Sequence, residues 1–282
     1  MTIREYRDRF HQLLKGQNEQ GEIDMFFRLL GEAYMNMSRI QMSLNLEREL
    51  TEAELLKFES ALQRLLNHEP VQYIIGETEF YGLPMKVDKN VLIPRPETEE
   101  LVEWVLQDLK TSGVDNPRIL DIGTGSGCIA ISLAKNIPGA AVTALDVSVG
   151  ALQVAKANAN LNGVSLDFDQ IDILEVEKLS VSYDIIVSNP PYVRELEKHE
   201  IRPNVLENEP ETALFVKDEN PLLFYEKITK LAQAALKENG SLYFEINQYL
   251  GVETEQLLKK AGFVTELRKD FLGNDRMLKG KL

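Results

Sequence analysis

The sequence predicts an α/β chain in which helices cover both faces of a mostly parallel sheet, preceded by a small helical bundle. Two patterns carry that expectation. From residue 118 onward, short apolar runs alternate with helical stripes, giving seven strand segments in all. Residues 1–70 instead repeat their apolar positions at helical spacing and carry no strand signal. Between these regions, residues 71–93 switch to two-residue alternation and are expected to form a β-hairpin linker.

In the bundle, Ile3, Tyr6, Phe10, Leu13 and Leu14 mark one stripe, and Phe26, Leu29, Leu30, Ala33 and Tyr34 a second. Thr51-Glu52-Ala53-Glu54 is a capping box, followed by a stripe of Leu55, Phe58, Leu62, Leu65 and Leu66. Nothing in this module is chemical in character, so it reads as a packing or partner-docking unit. In the linker, Tyr73/Ile75 and Met85/Val87 alternate, punctuated by Gly76, Tyr81-Gly82 and Pro84. A third domain then spans residues 94–282. Pro96 suits the first turn of a helix whose stripe is Leu101, Val102, Val105, Leu106 and Leu109. The strands are expected at 118–122, 141–145, 166–171, 184–188, 241–246, 263–267 and 276–279. The helices between them are expected at 129–135, 150–161, 221–236 and 252–261. Residues 193–220 read as a long loop with enough charge and proline to be mobile.

Composition narrows the function classes. The 282 residues include no apolar run near the roughly 20 residues needed to span a bilayer. The N-terminus Met1-Thr2-Ile3-Arg4-Glu5 lacks the apolar stretch of a signal peptide. The single cysteine, Cys128, fits a reducing cytoplasm, and three scattered histidines give no metal-ligand spacing. The net charge of −14, with no lysine and arginine cluster, disfavours nucleic acid as the main binding surface.

Ligands of open α/β sheets bind at the carboxyl ends of the strands, so motifs there carry most weight. The first candidate is Asp121-Ile122-Gly123-Thr124-Gly125-Ser126-Gly127-Cys128, between a strand and a helix. Its glycines allow a tight turn and a close ligand approach at a helix N-terminus. The spacing departs from Gly-x-Gly-x-x-Gly, because position 128 is Cys and the third glycine comes one residue early. Asp121 suits a methionine amino group better than a pyrophosphate. Asp146, at the next strand end, can bridge two ribose hydroxyls of an adenosyl donor or of a nicotinamide cofactor. Asp172 follows the third strand and is either an acceptor for an adenine amino group or an ordinary turn residue.

The second candidate is Asn189-Pro190-Pro191-Tyr192, directly after the strand 184–188. The prolines remove backbone donors and fix the chain, so that carbonyls point outward without competing N–H groups. Asn189 adds a side-chain acceptor, and Tyr192 an aromatic face for a flat group. This set suits a planar nitrogen bearing two hydrogens, either a primary amide or the exocyclic amine of a base. Two acceptors on those hydrogens would raise electron density on nitrogen and aim it at an electrophilic methyl.

The glycine turn, Asp146 and Asn189–Tyr192 together resemble the amino-methyltransferase branch of the Rossmann-like class I S-adenosylmethionine-dependent methyltransferases. Further segments are similar to one family within it, the release factor glutamine methyltransferases. These are Glu69–Ile74 with Gly76, Leu92–Glu99, Glu209-Pro210 with Ala213-Leu214, and Gly273–Arg276. The resemblance spans about residues 60–280. It implies S-adenosylmethionine as donor, no metal, and the glutamine of the Gly-Gly-Gln motif of class I peptide chain release factors as substrate. It further implies that Gly123–Gly127, Asp146 and Asn189 bind the donor and that Ile173 lies beside the adenine. Asn189, Pro190, Pro191 and Tyr192 would hold the glutamine amide, with Arg95 and Thr98 lining the same cavity.

Two departures stand out. Asn247 occupies a position where the family commonly has glycine, and residues 215–221 replace a usually glycine-rich loop. The first bears on a local turn, the second on partner docking. The rival readings are a glutamine methyltransferase of a ribosomal protein, an adenine-N6 DNA methyltransferase, and a non-catalytic binding protein of the same fold. Residues 94–99 favour release factors over the first. The acidic balance and the absence of a basic target-recognition domain oppose the second.

Overall fold

Of the four helices of the N-terminal region, all but the second start where their first-turn N–H groups find side-chain acceptors. In the computed structural model, which describes residues 1–282, these are α1 (Ile3–Leu14), α2 (Gln20–Met35), α3 (Arg39–Leu44) and α4 (Glu52–Leu66). Thr2, Ser38 and Thr51 each accept from the N–H three residues on, and Glu5, Gln41 and Glu54 reach back to the cap N–H. Each box satisfies donors that a helix start otherwise leaves free. The buried stripes meet in an aromatic cluster, with Phe58 stacked on Phe27 and met by Tyr6 and Tyr34, centroids 5.4–5.6 Å away. Burying one such ring contributes about 1.5–3 kcal/mol.

Residues 71–75 correct the sequence reading. They form α5 (Val71–Ile75), a short helix, and not the first half of a hairpin. Val71 and Ile74 are both buried, and over five residues that spacing cannot be told from the strand alternation of Tyr73 and Ile75. The choice is made by neighbours. The Arg64 guanidinium, paired with Glu69 at 2.6 Å, donates to the carbonyls of Tyr73 and Ile74, and Gly76 ends the helix at φ +82°.

The chain divides into two compact units: Met1–Gly76 with Arg202–Asn208, and Glu77–Ile201 with Glu209–Leu282. Within the first, Arg202 pairs with Glu22 at 3.2 Å, and the Asn208 amide donates to the His68 carbonyl at 3.0 Å. The hairpin is confined to β1 (Glu77–Phe80) and β2 (Leu83–Lys86), and it is part of the second unit instead of a free-standing linker. Phe80 and Met85 are buried in that unit's core. Asn158 exchanges hydrogen bonds with the Lys86 backbone at 2.6 and 2.9 Å, and Asn162 donates to the Pro84 carbonyl at 2.9 Å.

After α6 (Pro96–Ser112) the strand–helix alternation runs as β3 (Arg118–Ile122), α7 (Cys128–Asn136), β4 (Ala141–Asp146), α8 (Val149–Asn162), β5 (Asp167–Gln170) and β6 (Tyr183–Ser188). The region expected as one loop contains β7 (Val193–Arg194), a 3₁₀ turn at Glu195–Glu200, α9 (Pro203–Leu206), α10 (Glu211–Leu214) and β8 (Phe215–Val216). β7 pairs parallel with β8. Elements of two to six residues are too short to impose a period on a sequence, and so they were invisible there. The chain ends with α11 (Leu223–Ala235), β9 (Leu236–Glu245), α12 (Gly251–Lys260), β10 (Val264–Lys269) and β11 (Asp275–Lys281).

Seven strands form one sheet in the order β10-β11-β9-β6-β3-β4-β5. The five from β9 to β5 run parallel; β11 pairs antiparallel with β9, and β10 antiparallel with β11, so that β10 again runs in the direction of the five. Successive strand residues point to opposite faces. Ile119, Ile185, Val187 and Tyr243 join the core beneath α6 and α7, whereas Leu120, Ile186, Leu242 and Phe244 join the core beneath α11. The order reverses between β3 and β6, whose ends Ile122 and Ser188 are in register. Ser188 locks that junction by donating to the Ile122 carbonyl at 2.7 Å.

Candidate functional site at the sheet switch point

Both sequence motifs leave the sheet at this reversal, where the loops after β3 and β6 diverge and leave a crevice. The crevice is a cavity of about 1080 Å³, its open mouth included. Its wall contains Arg95, Thr98, Gly123, Thr124, Gly125, Ser126, Asp146, Asp172, Ile173, Asn189, Pro190 and Pro191. Twelve of the residues singled out in the sequence therefore come together. Asp121, Gly127 and Tyr192 do not reach the wall.

Asp121 is fully buried beneath the glycine turn and accepts from the Thr124 hydroxyl at 2.6 Å. Burial pushes its carboxyl up to about 7, against the lowering effect of the Thr124 bond. One oxygen thus braces the turn from below, while Oδ1 is buried with no hydrogen-bond partner. Gly127 explains the early third glycine. It starts α7 at φ +82°, and a Cβ there would stand 2.8 Å from Ile131 Cδ1 and 3.1 Å from Ala155 Cβ. That glycine serves the approach of α7 to α8. Gly123 and Gly125 also have positive φ, but open space lies where their side chains would be.

Asp146 holds the turn from the other side. One carboxylate oxygen accepts from Gly125 N at 2.8 Å and the other from Ser148 N at 2.9 Å. A carboxylate offers about four acceptor positions, so two remain for a ligand. Burial raises its pKa. Asp172 accepts from Leu174 N at 2.9 Å and so caps a 3₁₀ turn, and it also lines the cavity. Ile173 supplies a buried apolar wall.

Opposite the glycine turn, Asn189 lies in reach of α6: its side-chain amide donates to Thr98 Oγ1 at 3.4 Å. Thr98 in turn donates to buried Glu245 at 2.6 Å. Tyr192 turns inward, its hydroxyl bonded to Glu245 at 3.0 Å and not facing the cavity. The hydroxyl thereby braces the Asn189–Tyr192 segment, while the residue as a whole stays half-buried. Arg276 reaches the Tyr192 hydroxyl at 3.4 Å and is itself held by Asp270 at 3.2 Å. At the mouth Arg95 pairs with Glu209 at 2.6 Å, and Glu209 also accepts from Ile93 N. This ties Pro210 and Ala213, further wall residues, to the start of α6.

The sequence assigns no role to Glu245, Glu209 or Arg276. Glu209 and Arg276 lie in segments noted for resemblance; for Glu245 the available signal is an acidic residue at the end of an apolar strand. Asn247 is also explained: its amide donates to the Tyr192 carbonyl and to Glu197, both at 2.9 Å.

Comparisons with known proteins place the chain in a family. The Methyltransferase small domain family model matches residues 102–212, and the PrmC N-terminal domain model matches residues 5–76. The chain is 55% identical over 281 residues to a release factor glutamine methyltransferase of Flavobacterium psychrophilum, covering 99% of both chains. It is 41% identical over 283 residues to one of Streptococcus pneumoniae, covering 99% and 98%. Among solved structures, the T. thermophilus 16S rRNA N2 G1207 methyltransferase in complex with AdoMet and guanosine aligns at TM-score 0.52 and 19% identity, over 73% of this chain and 49% of that one. That likeness speaks for the fold, a Rossmann-like class I methyltransferase domain. With near full-length identity to two such enzymes, the chain belongs to the release factor glutamine methyltransferase family.

Proposed function

We propose that this chain transfers the methyl group of S-adenosylmethionine to the side-chain amide nitrogen of the glutamine in the Gly-Gly-Gln motif of class I release factors. The setting would be translation termination in the cytoplasm. The observation that carries this reading is that Asn189, Pro190 and Pro191 line the same cavity as the glycine turn, at the sheet reversal.

The residues present fit the donor. Open space above Gly123 and Gly125 admits a ligand against the backbone, with Thr124 and Ser126 beside it. Asp146 keeps acceptor positions free for ribose hydroxyls, and Ile173 with Asp172 would border the base. When bound, S-adenosylmethionine supplies an electrophilic methyl group on a sulfonium.

The chain's own residues would do the rest. An amide nitrogen is a weak nucleophile because its lone pair is delocalised into the carbonyl. Asn189 Oδ1 and the Pro190 carbonyl would each accept one of its hydrogens, which orients the nitrogen and enriches its electron density. The prolines offer no N–H to compete. No strong base is needed, since the proton can leave after transfer. Residues 1–75 and 193–220 are assigned to docking the release factor.

The test is mass spectrometry of a release factor incubated with enzyme and labelled donor. One methyl on the Gly-Gly-Gln glutamine is expected, and none after that glutamine is replaced. Label on a ribosomal protein or on DNA would overturn the assignment in favour of the corresponding rival.

A further inference from the structure

Glu245 ends β9 behind the site, is fully buried, and has no part in the cavity wall. Burying a carboxylate is costly unless its oxygens are supplied with donors. Here both are: Thr98 Oγ1 stands 2.6 Å from Oε2, and Tyr192 Oη 3.0 Å from Oε1. Arg276, which only donates, points Nη1 at the Tyr192 oxygen from 3.4 Å, so the phenol hydrogen is turned toward Glu245.

The directions of these bonds have a consequence at Asn189. Burial raises the pKa of Glu245, against the bonds from Thr98 and Tyr192 and the charge of Arg276, which favour the ionised form; as a carboxylate it accepts only, so the single hydrogen of Thr98 is committed to it. Thr98 can then present only a lone pair to Asn189, and Asn189 answers with Nδ2 at 3.4 Å. With the nitrogen held on that side, Oδ1 is left for the cavity, where a target amide needs an acceptor. A Thr98 hydroxyl free to rotate could instead donate to Oδ1. The amide would then meet the substrate's N–H₂ with its own.

We propose that Glu245 is a positioning residue that, through Thr98, fixes which end of the Asn189 amide faces the substrate. This rests on the reading of Asn189 as the acceptor for a glutamine amide. Glu245 and Thr98 should therefore act as one unit on turnover while leaving the donor subsite alone.

The experiment uses the full chain with labelled S-adenosylmethionine and a release factor, comparing Glu245→Gln, Thr98→Val, Thr98→Ser and the Glu245→Gln/Thr98→Val double variant. Label on the wild-type reaction's glutamine tests the substrate reading first, separately from any variant. Glu245→Gln and Thr98→Val are each expected to lower kcat at least about tenfold, with donor Kd within about twofold of wild type. Thr98→Ser, which restores the hydroxyl, should recover most of the loss. The double variant should fall no further than the worse single, as expected for groups in one chain of bonds. Wild-type kcat in Glu245→Gln, Thr98→Ser as poor as Thr98→Val, or losses that multiply would overturn the proposal. A second measurement needs no turnover and still decides the matter if the substrate reading fails. The side-chain N–H₂ signal of Asn189, assigned by its absence in Asn189→Ala, should exchange with water at least about tenfold faster in Glu245→Gln. An unchanged exchange rate would count against the wiring.

Discussion

At the scale of single residues, the site separates groups that face the cavity from groups that hold them. Asn189 faces it; Asp121, Tyr192 and Glu245 stand behind. Asn189→Ala is expected to lower kcat at least about 100-fold, comparable to losing one preorganised partner of a transition state. Donor Kd, measured by calorimetry, should change far less, because Asp146 and the glycine turn are untouched. A rate near wild type would remove Asn189 from the chemistry. Asp121 makes a prediction about pH. Its folded pKa, pushed up to about 7 by burial, lies above the ordinary carboxylate value. Between roughly pH 4 and 7 the folded state therefore binds more protons than the unfolded one, and stability falls as pH rises through that window. Asp121→Asn should flatten this part of the urea-midpoint profile. Equal slopes in the two proteins would show that Asp121 does not titrate there.

Between residues and the whole lie the short elements, which the sequence described least well. A stripe over 12 to 17 residues, as in α1, α4 or α6, repeats often enough to be read. The five residues of α5 do not, and Arg64 and Gly76 decide their conformation. The same holds for the turn after β9. Asn247 stands there because its amide joins the Tyr192 carbonyl to Glu197, binding the Asn189–Tyr192 segment to the 3₁₀ turn that follows β7. Burial raises the Glu197 carboxyl, but bonds from Arg194 and Asn247 outweigh it and hold it below the ordinary range. Asn247→Gly should therefore cost about 1–3 kcal/mol in denaturant unfolding, the penalty of leaving buried acceptors without their donor. It should also speed hydrogen exchange across residues 193–200 relative to the strands. A loss confined below a few tenths of a kcal/mol would mean that water replaces the amide.

For the whole molecule, the division of labour between the two units is the point to test. Every residue of the cavity wall lies between Asn90 and Ile228 and belongs to the second unit. Removing residues 1–75 is accordingly expected to leave donor Kd within about twofold while raising KM for the release factor at least about tenfold, the size of effect expected when a docking surface is lost. An unchanged KM would place docking elsewhere.

What the sequence by itself determined is whatever local chemistry repeats or is punctuated: long amphipathic helices, the strand–helix alternation, the glycine turn and the Asn189–Tyr192 segment. These follow from backbone geometry, which glycine, proline and side-chain period constrain within a few residues. What only the tertiary structure decided is which side of each motif is used. Gly127 lets α7 pack on α8, Asp121 holds the Thr124 hydroxyl, Tyr192 holds Glu245, and Glu245 meets Thr98 across 147 positions of chain. Such roles depend on the strand order that sets β6 beside β3 and β9. No residue's neighbours along the chain encode that order, because pairing across a sheet is fixed by the burial of all its strands together.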